Sequence, residues 1–243
     1  MTSPNELPLN QLQFYLSAPY PCSYLPGETA QSLMATPQHL VNANIYSQLI
    51  QQGFRRSGDF AYRPHCPHCQ ACISIRVVLQ DFKPNRSQKR AFKQHQHLTV
   101  RVLPVAFHES HFALYSAYIK ARHADEQDSP AKQSELEQYH SFLCQSHVDS
   151  VLVEFCENDQ LKMVSVVDIV EDGMSAVYTF YDTSDGKASL GTYNVLWQIA
   201  WAKSFNLPYL YLGYWIKDSQ KMAYKQNFQP QEQRINGAWQ CQI

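Results

Sequence analysis

Three cysteines, two histidines and two arginines fall within residues 62–77, YRPHCPHCQACISIRV. Cys66, Cys69 and Cys72 form a C-x2-C-x2-C run like the opening of a ferredoxin motif, but ISIR stands where the x3-C-P continuation belongs. A zinc site needs a fourth ligand, which Cys22, His65 or His68 can supply. Small side chains buried in a tight turn satisfy the same spacing, since free cysteine is among the most buried residue types. Metal and burial both stand at this point. The flanking Arg63 and Arg76 add a third reading, the wall of a pocket for something acidic.

Three further stretches carry chemistry. SLGTY, residues 189–193, follows a strand-like segment ending in Tyr181-Asp182 and opens a helical one. Backbone N–H groups at a helix start face an anion, and the helix dipole favours negative charge, so Ser189, Gly191 and Thr192 are phosphate candidates. A plain cap with a glycine turn has the same sequence. In YWIKDSQKMAYKQNF, residues 214–228, Lys217, Lys221 and Lys225 recur every four residues beside Met222 and Tyr224. Amines for phosphates and a ring for a base suit a nucleotide end, although any exposed helix can show this lysine spacing. Residues 83–101 hold six bases (Lys83, Arg86, Lys89, Arg90, Lys93, Arg101) and no acid. A solvated helix face normally intersperses glutamates, whereas bases alone gain from phosphates through counterion release.

The elements that must position these groups come from a chain of 243 residues, 44% hydrophobic, with a net charge of -1. That is enough for one large domain or two small ones, and no global charge points to nucleic acid. The halves differ: residues 1–101 carry ten bases and four acids, residues 102–243 ten bases and seventeen acids. The N-terminus lacks the basic and apolar regions of a signal peptide, and YLYLGYWI is too short to span a bilayer. The expectation is a cytoplasmic protein with reduced cysteines.

The first ~35 residues read as loop. A helix is expected from Thr36 as N-cap, with Pro37 in its first turn, a stripe of Val41, Ile45 and Leu49, and Gly53 as its end. ISIRVVL alternates like a half-buried strand, RSQKRAFKQH reads as a basic helix, and LTVRVL as a second strand. The domain boundary is placed near Pro104, giving 1–104 and 105–243. Beyond it, residues 107–122 and 134–147 read as helices joined by the acidic ADEQDSPAKQ; the second has Leu136, Tyr139, Leu143 and His147 on one face. VLVEFC, LKMVSVVDIV and SAVYTFYD form an antiparallel meander. Residues 194–205 are helical, with Val195, Leu196, Ile199 and Ala200 inward. After the break at Asn206-Leu207-Pro208, YLYLGYWI is a strand buried on both faces. This strand–helix–strand crossover on a meander is an α+β arrangement that the GNAT acyltransferase fold fits.

Five stretches, in order, resemble the aminoacyl-tRNA–protein transferases of the N-degron pathway. They are CSYLPGETA, YRPHCPHCQACISIRV, the SQKR of SQKRAFK, FYD…SLGTYNVLWQIAWAK and LPYLYLGYWIKDSQKMAYKQNFQPQE. They are nearer to the bacterial aspartate/glutamate leucyltransferases than to the longer eukaryotic arginyl enzymes. One departure is Thr183, where the family commonly has Pro after F-Y-D.

The resemblance implies an N-terminal recognition domain with a small sheet and a GNAT-like transferase domain. It implies transfer of leucine from leucyl-tRNA to the α-amine of proteins that begin with Asp or Glu, with no membrane or DNA partner. No cofactor is required for transfer; zinc or an iron–sulfur cluster at Cys22, Cys66, Cys69 and Cys72 stays open. Arg76, with Arg63 second and Tyr62 and Ser74 beside them, would hold the acceptor's carboxylate, because a guanidinium grips one bidentately. Ser189, Gly191, Thr192, Lys221, Tyr224, Lys225, Lys89 and Arg90 would bind aminoacyl-tRNA. Asp182 would assist proton transfer, and Tyr214, Tyr178 or Tyr181 would orient the reacting groups. Three alternatives stand beside this reading. One is an arginyl donor. Another is an acetyltransferase of the same fold, whose usual pyrophosphate loop needs more glycines than KASLGTY has. The third is a non-catalytic, metal-containing RNA-binding protein.

Overall fold

The computed structural model describes residues 9–122, 134–184 and 189–242. Its N-terminal part is a small sheet and one helix. Strand β1 (Gln13–Leu16) pairs antiparallel with β4 (Ser32–Thr36), and between them β2 (Tyr20–Pro21) and β3 (Thr29–Ala30) form a separate hairpin. After helix α1 (Ala43–Gln51), strands β5 (Arg55–Ser57) and β6 (Phe60–Pro64) complete a four-stranded sheet in the order β1-β4-β6-β5. The Pro and Gly signals in the first 35 residues do mark turns, but short strands lie between them.

The helix starts later than expected. Thr36 ends β4, a 3-10 turn spans Gln38–Leu40, and Asn42 is the cap, its side chain accepting from the Ile45 N–H at 3.0 Å. The expected stripe holds: Val41, Ile45 and Leu49 are buried, and Gly53 follows the helix with φ +85°.

The remaining elements build one eight-stranded sheet. In chain order they are β7 (Ile73–Val78), α2 (Arg86–His95), β8 (Thr99–Pro104), α3 (Glu109–Arg122), α4 (Glu135–Tyr139, continued by a π turn, His140–Cys144), β9 (Ser150–Glu157), β10 (Gln160–Val170) and β11 (Gly173–Tyr181). Then come α5 (Leu190–Ser204), β12 (Tyr209–Trp215), 3-10 turns over Gln220–Asn227, β13 (Gln231–Ile235) and β14 (Ala238–Gln242). The strand order is β14-β13-β7-β12-β11-β10-β9-β8. The meander β9–β11 is antiparallel, and β11–α5–β12 is the expected parallel crossover.

Side chains that alternate along these strands face two different covers. Val153, Phe155, Met163 and Leu210 pack with Leu196 and Ile199 of α5, against which α2 lies. On the other face Leu152, Val164 and Phe180 meet Tyr115 of α3 and Tyr139 and Leu143 of the α4 segment. There too α1 wedges between the sheets, burying Ile45, Tyr46 and Leu49 among Ala35, Ala61, Val170 and Tyr211. Arg56 of β5 crosses this wedge to Asp168 of β10, with Nε 2.9 and 2.8 Å from the two carboxylate oxygens and both side chains buried. Such a pair fixes how the sheets sit together, because either charge alone would be costly to bury.

Several expectations change. β7 and β8 lie before Pro104 yet are strands of the same sheet as β9–β12, so that sheet spans the expected boundary. β7 is an interior strand with Ile75, Arg76 and Val77 all buried: residues past 230, for which the pattern suggested no element, form the β13–β14 hairpin that pairs along its edge. α5 begins at Leu190 and leaves Ala200 exposed; Leu136 and His147 are exposed too. The lysine-bearing segment after β12 is 3-10 and not α-helical. ADEQDSPAKQ and residues 185–188 lie outside the described residues. No helix among the described residues is long and apolar enough to cross a membrane.

Candidate active site

One face of the small sheet looks into a cavity of about 410 Å³ whose wall includes Tyr20, Ser32, Met34, Phe60, Tyr62 and Tyr214. Cys22, after β2, and Cys66, Cys69 and Cys72, from the loop joining β6 to β7, all line it. The four cysteines read from the sequence are therefore brought to one wall. Burial, then the charges of Cys66, Cys22 and Cys69, push the Cys72 thiol up to about 12, so it is a neutral thiol at physiological pH. Cys66 directs its thiol at the Gln31 carbonyl, 3.7 Å away. Metal ligation needs thiolates gathered round a point. Among the described residues no three His, Cys, Asp or Glu side chains are so gathered. As folded, Cys22, Cys66, Cys69 and Cys72 share one wall of the cavity, with their sulfurs not drawn round a point.

Behind this wall β11 and β12 part. They pair only where residues 173–175 meet 209–211, although β11 continues to Tyr181 and β12 to Trp215. Strands that separate leave carbonyls without partners, and buried carbonyls need donors. Arg55 of β5 supplies them. Its Nη2 donates to the Ala176 and Val177 carbonyls, both at 2.9 Å, and Nη1 to Leu212 at 3.4 Å. The approach requires Gly213, which has φ +75° and sits at a bulge in β12; a Cβ there would collide with Nη1. Among the described residues no carboxylate is ion-paired with Arg55, and its charge reaches Tyr24, Tyr62 and Tyr214 in the cavity wall.

Lys225 is buried beside this cation. Its Nζ donates to the Tyr214 carbonyl at 2.6 Å. Burial, and then the Arg55 charge, lower the amine to about 7. The regular lysine spacing is therefore misleading: Lys217 and Lys221 are exposed, but Lys225 points inward.

The two arginines expected to hold a carboxylate lie elsewhere. Arg76 is buried on the α1 side, with Nε donating to Glu232 at 2.7 Å and Nη1 to the Tyr211 hydroxyl at 3.0 Å; Asp172 lies 3.5 Å away. Its guanidinium lies 3.5 Å from the Tyr209 ring centroid and 4.4 Å from that of Trp239. These partners commit it, and Glu232 and Trp239 come from the unforeseen hairpin. Arg63 is over Phe54 and donates to the Gln52 carbonyl, on the face away from the cavity. Ser74 donates to the Gly53 carbonyl; Tyr62 alone of the four acceptor candidates lines the cavity. Arg76→Met is thus expected to cost ~2–4 kcal/mol of stability by stranding two part-buried carboxylates, and to leave transfer by the folded protein within about threefold. Denaturant titration beside steady-state kinetics checks this.

Asp182 follows β11 but is engaged: Ser184 donates to Oδ1 through its N–H (2.9 Å) and hydroxyl (2.6 Å), and Lys162 lies 3.1 Å from Oδ2. The Ser184 bonds, with Lys162 behind them, hold it below the usual carboxylate range, which makes it a poor proton acceptor. The buried Tyr214 hydroxyl donates to the Gly53 carbonyl at 2.9 Å, and burial pushes this phenol far up. Tyr178 packs on Phe142, on the face covered by α3 and α4, while Tyr181 borders Gly191.

Ser189 precedes α5 with no cap bond, and among the described residues its buried hydroxyl has no hydrogen-bond partner. Gly191 and Thr192 form the first turn. An added Cβ at Gly191 would only touch the Tyr181 ring at 3.8 Å, so approach there is open. On α2, Arg86, Lys89, Arg90 and Lys93 are all exposed. The helix keeps its acid-free character even at its cap, where Asn85 and Gln88 exchange bonds of 2.9 and 2.8 Å and Gln stands where Glu would serve. Tyr224 is 44% exposed. Arg55 is the functional candidate that the sequence reading missed. Its signal was the Arg-Arg pair in FRRSGDF, whose members must face opposite sides of a strand.

Two family models, for the N terminus and the C terminus of arginine-tRNA-protein transferases, match residues 20–90 and 110–235. The chain belongs to this family of tRNA-dependent protein transferases. Within it, the chain is 61% identical, over 98% of its own length and 95% of the relative's, to an aspartate/glutamate leucyltransferase of Methylobacillus flagellatus. It is 52% identical to the aspartate/glutamate leucyltransferase of Thiobacillus denitrificans, over 98% of both chains. Among solved structures, L-PGS from Bacillus licheniformis aligns with a TM-score of 0.49 at 10% identity, over 71% of this chain and 59% of that one. That likeness is too weak to argue from.

Proposed function

We infer that this chain transfers leucine from leucyl-tRNA to the α-amine of proteins that begin with Asp or Glu. The observation that carries the reading is identity of 61% and 52%, over nearly the whole length, to relatives bearing that activity in their names. We read the small sheet with α1 as the recognition part and the eight-stranded sheet with its helices as a GNAT-like transferase part, so that the division falls between β6 and β7 and not near Pro104. The diverging β11 and β12, with α5 crossing between them, favour that fold. A substrate made of charged tRNA places the reaction in the cytoplasm.

The Cys-lined cavity takes the acceptor's first residue. Glu28 lines the cavity too, but Arg55, ion-paired with no carboxylate among the described residues, puts its positive charge on the Tyr62 and Tyr214 side and there favours an Asp or Glu side chain over a neutral one. The donor's terminal nucleotide lies towards the start of α5, where Ser189, Gly191 and Thr192 offer free N–H groups and an unpaired hydroxyl. Tyr224, which feels Tyr181 beside Gly191, lies towards that end; we assign exposed Lys221 to the same phosphates and α2 to the tRNA backbone.

Transfer forms a C–N bond between the α-amine and the leucyl carbonyl and breaks the ester C–O bond to the ribose. The amine loses a proton and the ribose oxygen gains one. Lys225, near-neutral beside Tyr214, is matched to accept the first and return it; Asp182 is not. Holding two substrates together supplies much of the remaining rate gain.

Labelled leucyl-tRNA, labelled arginyl-tRNA and labelled acetyl-CoA, each with an Asp-initiated peptide, test the reading. Label from leucyl-tRNA alone is expected; transfer from either other donor, or none, overturns it. For α2, Lys89→Ala with Arg90→Ala should weaken binding of all leucyl-tRNAs alike and reduce the slope of log K against log salt by about two. An unchanged slope in filter binding would remove α2 from the interface.

A further inference from the structure

A protein acceptor brings more than its first residue, and a cavity of about 410 Å³ cannot hold the residues behind it. Beside the cavity lies a sheet edge that no described strand pairs. β1 is the outer strand of the small sheet, and among the described residues its partner is β4 alone. Exposed edges are usually blunted by Lys, Pro or a bulge. β1 reads Gln-Phe-Tyr-Leu, with Phe14, Tyr15 and Leu16 exposed at 42, 56 and 52%.

Two features tie this edge to the cavity. Ser17 and Tyr20, which lie just past β1 in the chain, line the cavity. Across the sheet Tyr15 is in register with Met34, and Met34 with Tyr62, so one row of side chains leads from the edge onto the cavity floor. The Ser17 N–H donates to the Ser32 carbonyl at 2.8 Å. By the alternation of an antiparallel ladder, Tyr15 also faces β4, while the backbone groups of Phe14 and Leu16 face outward.

We propose that β1 is a docking edge for the extended N-terminal segment of the acceptor polypeptide, which adds to the small sheet as a strand antiparallel to β1. The inference rests on the reading of the chain as a transferase with a protein acceptor, and extends it past the first residue. The direction follows from the geometry. The cavity opens at the C-terminal end of β1, so the acceptor's N-terminus lies beside Leu16 and its later residues run back towards Gln13. Main-chain bonds of this kind ignore side chains. They suit an enzyme whose substrates share only a first residue. At ~3.4 Å per residue, β1 matches about four acceptor residues beyond those in the cavity.

Asp-initiated peptides of two to eight residues test this with the intact protein and leucyl-tRNA. KM is expected to fall about tenfold between two and six residues and then level, at nearly constant kcat. Single backbone N-methylation along a six-residue acceptor should raise KM about fivefold at alternate positions only. Leu16→Pro removes an outward donor without touching the β4 ladder. It should raise KM for the six-residue acceptor towards that of the dipeptide and leave the dipeptide unchanged. Equal KM at every length, or methylation effects without a period of two, overturns the proposal. So does a flat methylation pattern together with Leu16→Pro altering sedimentation of the free protein, which would assign the edge to a second copy. The same peptides read by direct binding do not need the donor, so a wrong donor and a wrong docking edge give different results.

Discussion

Arg55→Ala is expected to lower kcat/KM for Asp-initiated peptides by about 10²–10³, equivalent to ~3–4 kcal/mol, while the slow rate with Asn-initiated peptides hardly changes. The asymmetry follows from the setting of the guanidinium. It lies between strands that have stopped pairing, is bound by carbonyl dipoles and not by a carboxylate, and projects its charge on Tyr62 and Tyr214 of the cavity wall. Removing it takes away the charge that an acidic acceptor gains from and a neutral one does not. It also strips two short bonds from the Ala176 and Val177 carbonyls, at ~1–3 kcal/mol for each buried acceptor left unpaired, so stability falls as well. Arg55→Lys, which keeps the charge but loses the fork, should recover part of the Asp preference and little of the stability. Gly213→Ala acts from the other strand: its Cβ would need the space that Arg55 Nη1 occupies, so it should reproduce the loss without altering any charge. The deciding quantity is the ratio of kcat/KM for Asp over Asn peptides. If Arg55→Ala leaves that ratio intact while Tm drops, the side chain only holds the strands.

Why the sequence pointed to Arg76 and not to Arg55 is itself physical. Local periodicity finds strands and the faces of helices, so the meander, the crossover, α2 and the buried β12 were all readable. What covers each face is set by residues far along the chain. β7 read as half-buried because nothing near it signals that Glu232 and Trp239 return to enclose Arg76. Lys225 read as an exposed phosphate ligand because an i, i+4 spacing presumes an α-helix, and the segment is 3-10. Arg55 and Arg56, as neighbours on a strand, serve different partners, a cleft between strands and a buried Asp168. The cysteines were correctly grouped, since a short loop keeps Cys66, Cys69 and Cys72 together whatever the fold, but spacing alone carries no information on whether the sulfurs converge.

Lys225→Met is expected to reduce kcat by about 10²-fold and to change the shape of the pH profile as well as its height. Two groups must shed a proton before aminolysis: the acceptor's α-amine, with a usual value of ~7.7–8.0, and Lys225, lowered to about 7 by burial and by Arg55. Below both values log kcat/KM for the native chain should therefore rise with a slope of about two, bending towards one as pH passes 7. In Lys225→Met only the α-amine limb of slope one remains. Stability provides an independent check with a defined sign. Below about 7 the folded and unfolded chains both carry the proton, and the cost of burying the charged amine is fully present. Between that value and the ordinary 10.5 the folded chain is neutral and the unfolded chain still protonated, so stability attributable to this residue rises with pH. Lys225→Met, which buries no charge, should flatten that part of the curve and be the more stable protein near pH 6. If the variant keeps both the slope of two and its rate, the proton leaves by another route, with the ribose hydroxyl or a tRNA phosphate as the next acceptor to test. Loss of rate with the slope of two retained would instead make Lys225 a fixed brace for Tyr214, whose carbonyl it grips at 2.6 Å.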